Sequence, residues 1–292
     1  MTEPLVSTRG LGKTIGRKVI LRDIALEVTP GSIVGIIGKN GAGKTTLLEI
    51  LLGFSPASSG SAQLFGHDSF ALPATIKGRI GFVPQQDELI NLLTGQQQLA
   101  LVAALHGHWN AALIERLRKT WEVPMDRIIQ NLSGGERQKL STLTALGHEP
   151  ELLVLDEPVA SLDPISRRRF LREMIEITAE RTRTVLFSTH IISDLERVAD
   201  QIWILRDGAI AWAGPLDSLQ ESVVRLSVNA RRSLPSVLPL AGCLSQRVAG
   251  ERASAVVTQW TGQRLAQLQE TLDAEIAVEP LGLEDIFVEL HS

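Results

Sequence analysis

Residues 38–46 read GKNGAGKTT, and the reading of this stretch decides the fold. It fits the pattern G-x-x-x-x-G-K-[ST] and lies where that pattern has physical meaning, between a short apolar run, SIVGIIG (32–38), and a helix-like run, KTTLLEILLGF (44–54). Gly38, Gly41 and Gly43 let the backbone turn its N–H groups inward onto phosphate oxygens, and the following helix adds its positive end. Lys44 is then placed to reach the β and γ phosphates of a nucleotide, and Thr45 to set its hydroxyl on Mg²⁺.

Two further apolar runs end in polar residues. ELLVLDEP (151–158) buries Leu152 to Leu155 and delivers Asp156 and Glu157, the first placed for the shell of Mg²⁺ and the second to polarise an attacking water. TVLFSTH (184–190) ends on His190, which as a lone histidine reads first as a structural hydrogen-bond partner and second as a contact to a γ-phosphate, the order of the motifs favouring the contact. The other five histidines show no metal-ligand spacing and receive no site. Helix-like stretches lie between these runs: QQQLALVAAL (96–105), LIERLRKTW (113–121), GERQKLSTLTAL (135–146) and SRRRFLREMIEITAE (166–180). Strands alternating with helices predict an α/β fold with a largely parallel sheet and the active groups beyond its carboxyl ends. KVILRDIALEV (18–28) alternates like a half-buried strand.

Composition narrows the class. The chain has 292 residues, 44% hydrophobic and 21% charged, enough for one large domain and a small one. With 29 Lys+Arg against 33 Asp+Glu it lacks the basic balance of a dedicated nucleic-acid binder, so no nucleic acid is expected as a partner. Cys243 is the only cysteine, which excludes an intrachain disulfide and reads as a small buried hydrophobe. No run approaches the roughly 18 apolar residues of a spanning helix, and the first ten residues lack a leader's apolar core. Any membrane part is therefore expected from another chain.

LSGGERQ (132–138) holds no acid, base or metal site of obvious use. It opens a helix, with Ser133 as N-cap and Leu140, Leu143 and Leu146 on the buried face. Ser133, Gly134 and Gly135 then present a hydroxyl and unblocked N–H groups at a positive helix end, a second anion site. One phosphate loop binds one nucleotide tail. A second site has a use if two copies pair head to tail and each closes on the nucleotide held by the other.

At this point the chain resembles the ATP-binding subunits of ABC transporters. GKNGAGKTT, with Asn40 and Thr46 inside it, resembles the family's Walker A; LSGGERQ resembles the signature, LLVLDEP the Walker B with catalytic Glu157, SLDP (161–164) the D-loop with Asp163, and STH the switch histidine. FVPQQ (82–86) resembles the Q-loop, with Gln85 at the position that meets the metal and the reacting phosphate. All six stand in the family's order and cover about residues 5–214. The resemblance implies a P-loop ATPase core and ATP with Mg²⁺ held between two copies of the chain. Ser133 and Gly135 of one copy would face Lys44 and Glu157 of the other. It also implies a helical subdomain at about 86–147 docking on a separately encoded permease, at the cytoplasmic face of the membrane. The family's adenine-stacking position, usually Tyr, holds Ile15 in LGKTIGRKVIL (11–21), and the chain has no Tyr. Either Ile15 meets the base without stacking, or another aromatic, such as one of the five Trp, reaches it.

After AGPLDS (213–218), alternating runs VVRLSVN (223–229), ASAVVTQW (253–260) and EIAVEP (275–280) suggest a small α+β domain over 215–292, with helix-like GQRLAQLQETLDAE (262–275) and GLEDIFVEL (282–290). This ending is similar to that of ABC-2 type exporter ATPases; the longer barrel-rich tail of sugar importers fits poorly. A soluble ABC ATPase of repair or translation is the alternative. Repair types need a long coiled coil between phosphate loop and signature, and translation types carry two cassettes.

Overall fold

The computed structural model describes residues 3–179 and 183–291. Packing divides the chain into two units, Met1–Ala213 and Gly214–Ser292. In the first, the strands are β1 (Val6–Ile15), β2 (Lys18–Val28), β3 (Ile33–Gly38), β4 (Ser59–Leu64), β5 (His67–Asp68), β6 (Ile80–Val83), β7 (Leu152–Asp156), β8 (Thr184–Ser188), β9 (Gln201–Arg206) and β10 (Ala209–Pro215). Its helices are α1 (Lys44–Leu51), α2 (Ala74–Lys77), α3 (Gly95–Leu105), α4 (Ala111–Thr120), α5 (Gly134–Leu146), α6 (Pro164–Thr178) and α7 (Ile192–Leu195). Glu180, the last residue of the helix expected over 166–180, lies outside the described residues.

The central sheet has the order β10-β9-β3-β8-β7-β6. β3 pairs in parallel with β8 and β9, and β7 with β6 and β8. Strands covered on both faces read as unbroken apolar runs, and every residue of β3, β7 and β8 is buried. The fold class is the α/β architecture that the alternating pattern predicts. Because these strands run the same way, Gly38, Asp156 and Ser188 all emerge at one end of the sheet, with Asp156 opposite Ser188 in register.

A second, antiparallel sheet has the order β2-β1-β4-β5. Here the strict alternation expected for 18–28 fails. Asp23 takes φ 48°, the β1–β2 register shifts between Thr8 and Leu11, and the buried set steps from Leu21 to Ile24. A bulge adds one residue and turns the faces over, so the buried set passes from Leu21 to Ile24, three residues on; a further register shift between Lys13 and Thr14 lies opposite the step from Leu21 to the exposed Val19. Gly60 shows how closely β4 passes β1: a Cβ there would lie 2.2 Å from the Gly10 carbonyl oxygen, at φ +70°.

α5 begins as the sequence predicts. Ser133 is the N-cap of a capping box, its Oγ accepting from Glu136 N–H at 3.3 Å while a Glu136 carboxylate oxygen accepts from Ser133 N–H at 2.7 Å. Leu140, Leu143 and Leu146 are fully buried. α4 packs on α6 through the buried Trp121 ring stacked on Phe170, centroids 5.3 Å apart, and through Arg116 donating to the buried Glu173 at 2.5 Å. Stacked aromatic pairs add about 0.5–1.5 kcal/mol to their burial.

The second unit holds α8 (Leu216–Ser222), β11 (Val224–Ala230), β12 (Cys243–Ala249), β13 (Arg252–Val257), α9 (Gln263–Leu272), β14 (Ala274–Pro280) and α10 (Leu283–Leu290). Its four strands form an antiparallel sheet in the order β12-β13-β11-β14. Val224, Leu226 and Val228 alternate inward, and α9 turns Leu265, Leu268 and Leu272 toward the same core. Cys243 departs from the expected buried hydrophobe. It opens the edge strand β12 half-buried, with Sγ bonded to the Ser245 carbonyl at 3.4 Å. Burial, followed by the nearby Glu289 charge, pushes its thiol pKa up, which keeps it a poor nucleophile. Among the described residues no helix is long and apolar enough to cross a membrane.

Candidate functional site

The loop from Gly38 to Lys44 wraps the carboxyl end of β3 and opens α1. Gly41 and Gly43 take φ 81° and 106°, in the left-handed region that glycine enters at little cost. At Gly43 a side chain is also excluded by space, since a Cβ would lie 2.6 Å from Leu21 Cδ2. Gly43 is the N-cap of α1 and has no side chain to satisfy the helix's first N–H groups, so those donors face the loop.

The loop encloses a cavity of about 410 Å³ lined by Lys18, Ile20, Asn40, Gly41, Ala42, Gly43, Lys44, Thr45, Thr46, Gln85, Asp156 and Glu157. Phosphate-loop, Q-loop and Walker B residues separated by more than a hundred positions thus meet around one space. Lys44 Nζ donates to the Gly38 carbonyl at 2.8 Å and lies 3.9 Å from Glu157 Oε1, both side chains buried. Thr45 Oγ1 donates to Asp156 Oδ2 at 2.8 Å, and Ser188 Oγ donates to Asp156 Oδ1.

Glu157 is held from three sides. Its backbone sits at φ 52°, uncommon for a non-glycine residue, and its N–H is bonded to the Ser188 carbonyl at 3.0 Å and to Ser188 Oγ at 3.1 Å. Its carboxylate meets His190 Nδ1 at 2.7 Å and accepts from His190 N–H at 3.3 Å. The His190 side chain is 56% exposed, so the ring has one nitrogen on the carboxylate and an open side. A buried carboxylate between a lysine and an imidazole, in a strained turn, has the form of a proton-handling group.

Ser188, Lys18 and Ile20 join the site without having been singled out in the sequence. Ser188 was legible only as the last residue of an apolar strand, whereas its bonds to Asp156 and Glu157 depend on the pairing of β7 with β8. Lys18 and Ile20 reach the cavity because β2 crosses the phosphate loop.

Other predicted residues stand elsewhere. Ser133, Gly134 and Gly135 do not line the cavity. They start α5 against SLDP: a Cβ on Gly135 would lie 3.0 Å from the Ser161 carbonyl oxygen, and one on Gly134 3.5 Å from Ser161 Cβ. Asp163 is the N-cap of α6, its Oδ1 accepting from Ile165 N–H at 2.9 Å and Ser166 N–H at 3.1 Å. Bonds from the Ser166 hydroxyl and N–H lead the lowering of its pKa from 3.8 to about 2. The cap's charge contribution is therefore complete above pH 4 and is lost as pH falls through 2. Ile15 ends β1, 57% exposed and outside the cavity lining.

The residues present fit Mg²⁺. Thr45 and Asp156 offer hard oxygen donors side by side, with Gln85 on the same cavity. Among the described residues no three His, Cys, Asp or Glu side chains form a metal cage. Mg²⁺ asks for none, since it keeps waters and substrate phosphates and takes one or two protein ligands.

This fold and loop define a P-loop nucleotide-binding protein of the α/β class. Comparison with known proteins gives the particular family. The family model described as "ABC transporter" matches residues 21–160. The ABC transporter ATP-binding protein NatA of Bacillus subtilis is 34% identical over 214 residues, 70% of this chain and 87% of that protein. The Nod factor export ATP-binding protein I of Cupriavidus metallidurans is 30% identical over 297 residues, 98% of this chain and 97% of that protein, so the likeness runs through both units. A solved dimeric structure of a post-hydrolysis ATP-binding cassette bound to ADP and Pi superposes with a TM-score of 0.64 at 25% identity, covering 72% of this chain and 98% of that one. The chain belongs to the family of ABC transporter ATP-binding subunits.

Proposed function

We propose that the chain hydrolyses ATP as one half of a homodimer and so powers a separate membrane permease, as part of an ABC-2 type exporter. Residues 1–214 serve as the ATPase domain, the segment 86–147 as the helical subdomain facing the permease, and 215–292 as an accessory domain. The observation that carries the reading is the split between the two anion sites. Lys44, Thr45, Asp156 and Glu157 converge on one cavity, while Ser133 to Gly135, at the start of α5, do not line it. A second copy, related head to tail, gives that helix end a phosphate to meet.

In this reading the phosphate loop and Lys44 hold the ATP phosphates, with Asn40, Thr46 and Asp163 bordering the nucleotide. Thr45, Asp156 and Gln85 hold Mg²⁺, which when bound offsets negative charge on the phosphates. Glu157 accepts a proton from the attacking water, with His190 orienting its carboxylate and turning its open side toward the γ-phosphate. The exporter assignment is supported by the Nod factor export protein, whose likeness spans this chain's accessory unit as well. The permease would hold the chain at the cytoplasmic face of the membrane. Co-expression with a six-helix membrane protein, sought among the adjacent genes, tests this. The two should co-purify from detergent-solubilised membranes, and recovery of the chain from the soluble fraction alone contradicts the assignment.

For the base we propose the exposed hairpin end of β1 and β2, where Ile15 stands in register with the cavity residue Lys18. Stacking on an aromatic ring contributes roughly 1–3 kcal/mol per base, and an aliphatic side chain about half of that by burial. Ile15→Tyr should then tighten ATP several-fold, and the wild type should discriminate weakly between ATP and GTP. Titrations that show tight wild-type ATP binding weakened by the added ring place the base elsewhere.

A further inference from the structure

The segment that follows Gln85 is tied to the signature helix by one side chain. Arg137 stands one turn inside α5, its N–H bonded to the Ser133 carbonyl at 2.9 Å. Its guanidinium grips Asp87 with two bonds, Nε to Oδ2 at 2.8 Å and NH2 to Oδ1 at 2.5 Å. The remaining nitrogen, NH1, donates to Asn91 Oδ1 at 2.9 Å and to the Ile129 carbonyl at 3.0 Å. The two charged side chains are 19% and 17% exposed, so water screens the pair little. Around it, Ile129 N–H bonds the Leu93 carbonyl and Gln130 N–H the Asn91 carbonyl, lacing 91–93 to the turn that leads into Ser133.

Gln85 lines the phosphate cavity, and Asp87 lies two residues beyond it. The path from that cavity to the second anion site is therefore short: Gln85, Asp87, the Arg137 fork, one helical turn, Ser133. Two parallel bonds between planar groups resist both sliding and rotation, which a single lysine contact does not. We propose that Arg137 is a positioning residue that fixes the signature helix to the Gln85 segment. Phosphate held in one copy's own cavity thereby sets Ser133 to Gly135 for closure on the other copy's nucleotide. The inference rests on the head-to-tail dimer proposed above and adds to it how the two sites of one chain are coupled.

The test uses the full chain carrying Glu157→Gln, so that bound ATP persists, and reads two quantities: ATP affinity at concentrations where the chain is monomeric, and the ATP-dependent monomer–dimer constant by sedimentation. Arg137→Ala and Asp87→Asn should each leave monomer ATP affinity within two-fold and weaken dimerisation at least ten-fold. Arg137→Lys should fall between, and the Arg137→Ala, Asp87→Asn double variant should be no worse than either single one, because the pair acts as a unit. A merely structural role would lower thermal stability and ATP affinity together; Asp87→Asn, which keeps size and shape, covers the case in which Arg137→Ala folds poorly. Wild-type dimerisation in the Asp87→Asn and Arg137→Lys variants overturns the inference. Failure of Glu157→Gln itself to dimerise with ATP overturns the dimer on which it rests.

Discussion

Glu157→Gln lowers ATP turnover by at least two orders of magnitude and leaves a long-lived ATP-bound dimer. A side-chain amide has the size of the carboxylate but takes no proton from water, and general-base catalysis typically contributes about 10²–10⁴-fold. The surroundings favour retention of shape. The φ of 52° and the two bonds from Glu157 N–H to Ser188 belong to the backbone and survive the change. The amide still offers an oxygen to His190 N–H. What is lost is the buried negative charge 3.9 Å from Lys44 Nζ. Removing one member of a buried ion pair leaves the other uncompensated, so Lys44 should hold triphosphate more firmly in the variant and ATP binding should persist. Phosphate release measured beside size-exclusion with ATP checks both halves. Near-wild-type turnover would move the base away from Glu157.

Much of this site was legible because its parts lie at strand ends. The functional residues of GKNGAGKTT, LLVLDEP and STH each stand at the end of a run of buried residues, and a parallel sheet brings the ends of such runs to one place whatever their separation in sequence. The antiparallel sheet was less legible. Its β1–β2 pairing carries a register shift and a left-handed Asp23, and the bulge breaks the two-residue period on which strand reading depends. The strand β12 has no fully buried residue, so CLSQRVA offers no alternation to read. Arg137 and Asp87 are fifty positions apart. No periodicity links a guanidinium on a helix to a carboxylate in a loop, and only the fold shows that they meet.

Ser133 and Lys44 give the second large effect. Ser133→Arg sets a long cation at the start of α5, where the helix end already carries positive charge and where an anion is expected to dock. Lost capping costs only about 1 kcal/mol, small beside the roughly 5–15 kcal/mol that holds a domain folded. Inactivity of this variant therefore reports the site and not unfolding. Lys44→Ala removes the cation that faces the phosphates from inside the cavity. Each variant alone should lose at least 99% of turnover, a fall of about 10²-fold as for a displaced electrostatic group.

The central claim is that each ATP lies between the phosphate loop of one copy and the signature helix of the other. Mixing Ser133→Arg with Lys44→Ala tests it directly, because heterodimers then contain one site with both lesions and one with neither. The expected result is recovery of turnover when two inactive proteins are combined, rising with the fraction of heterodimer measured in the same sample by differential tagging. Heterodimers present in quantity with turnover no higher than that of either parent would contradict the shared site and return the signature helix to the cavity of its own chain.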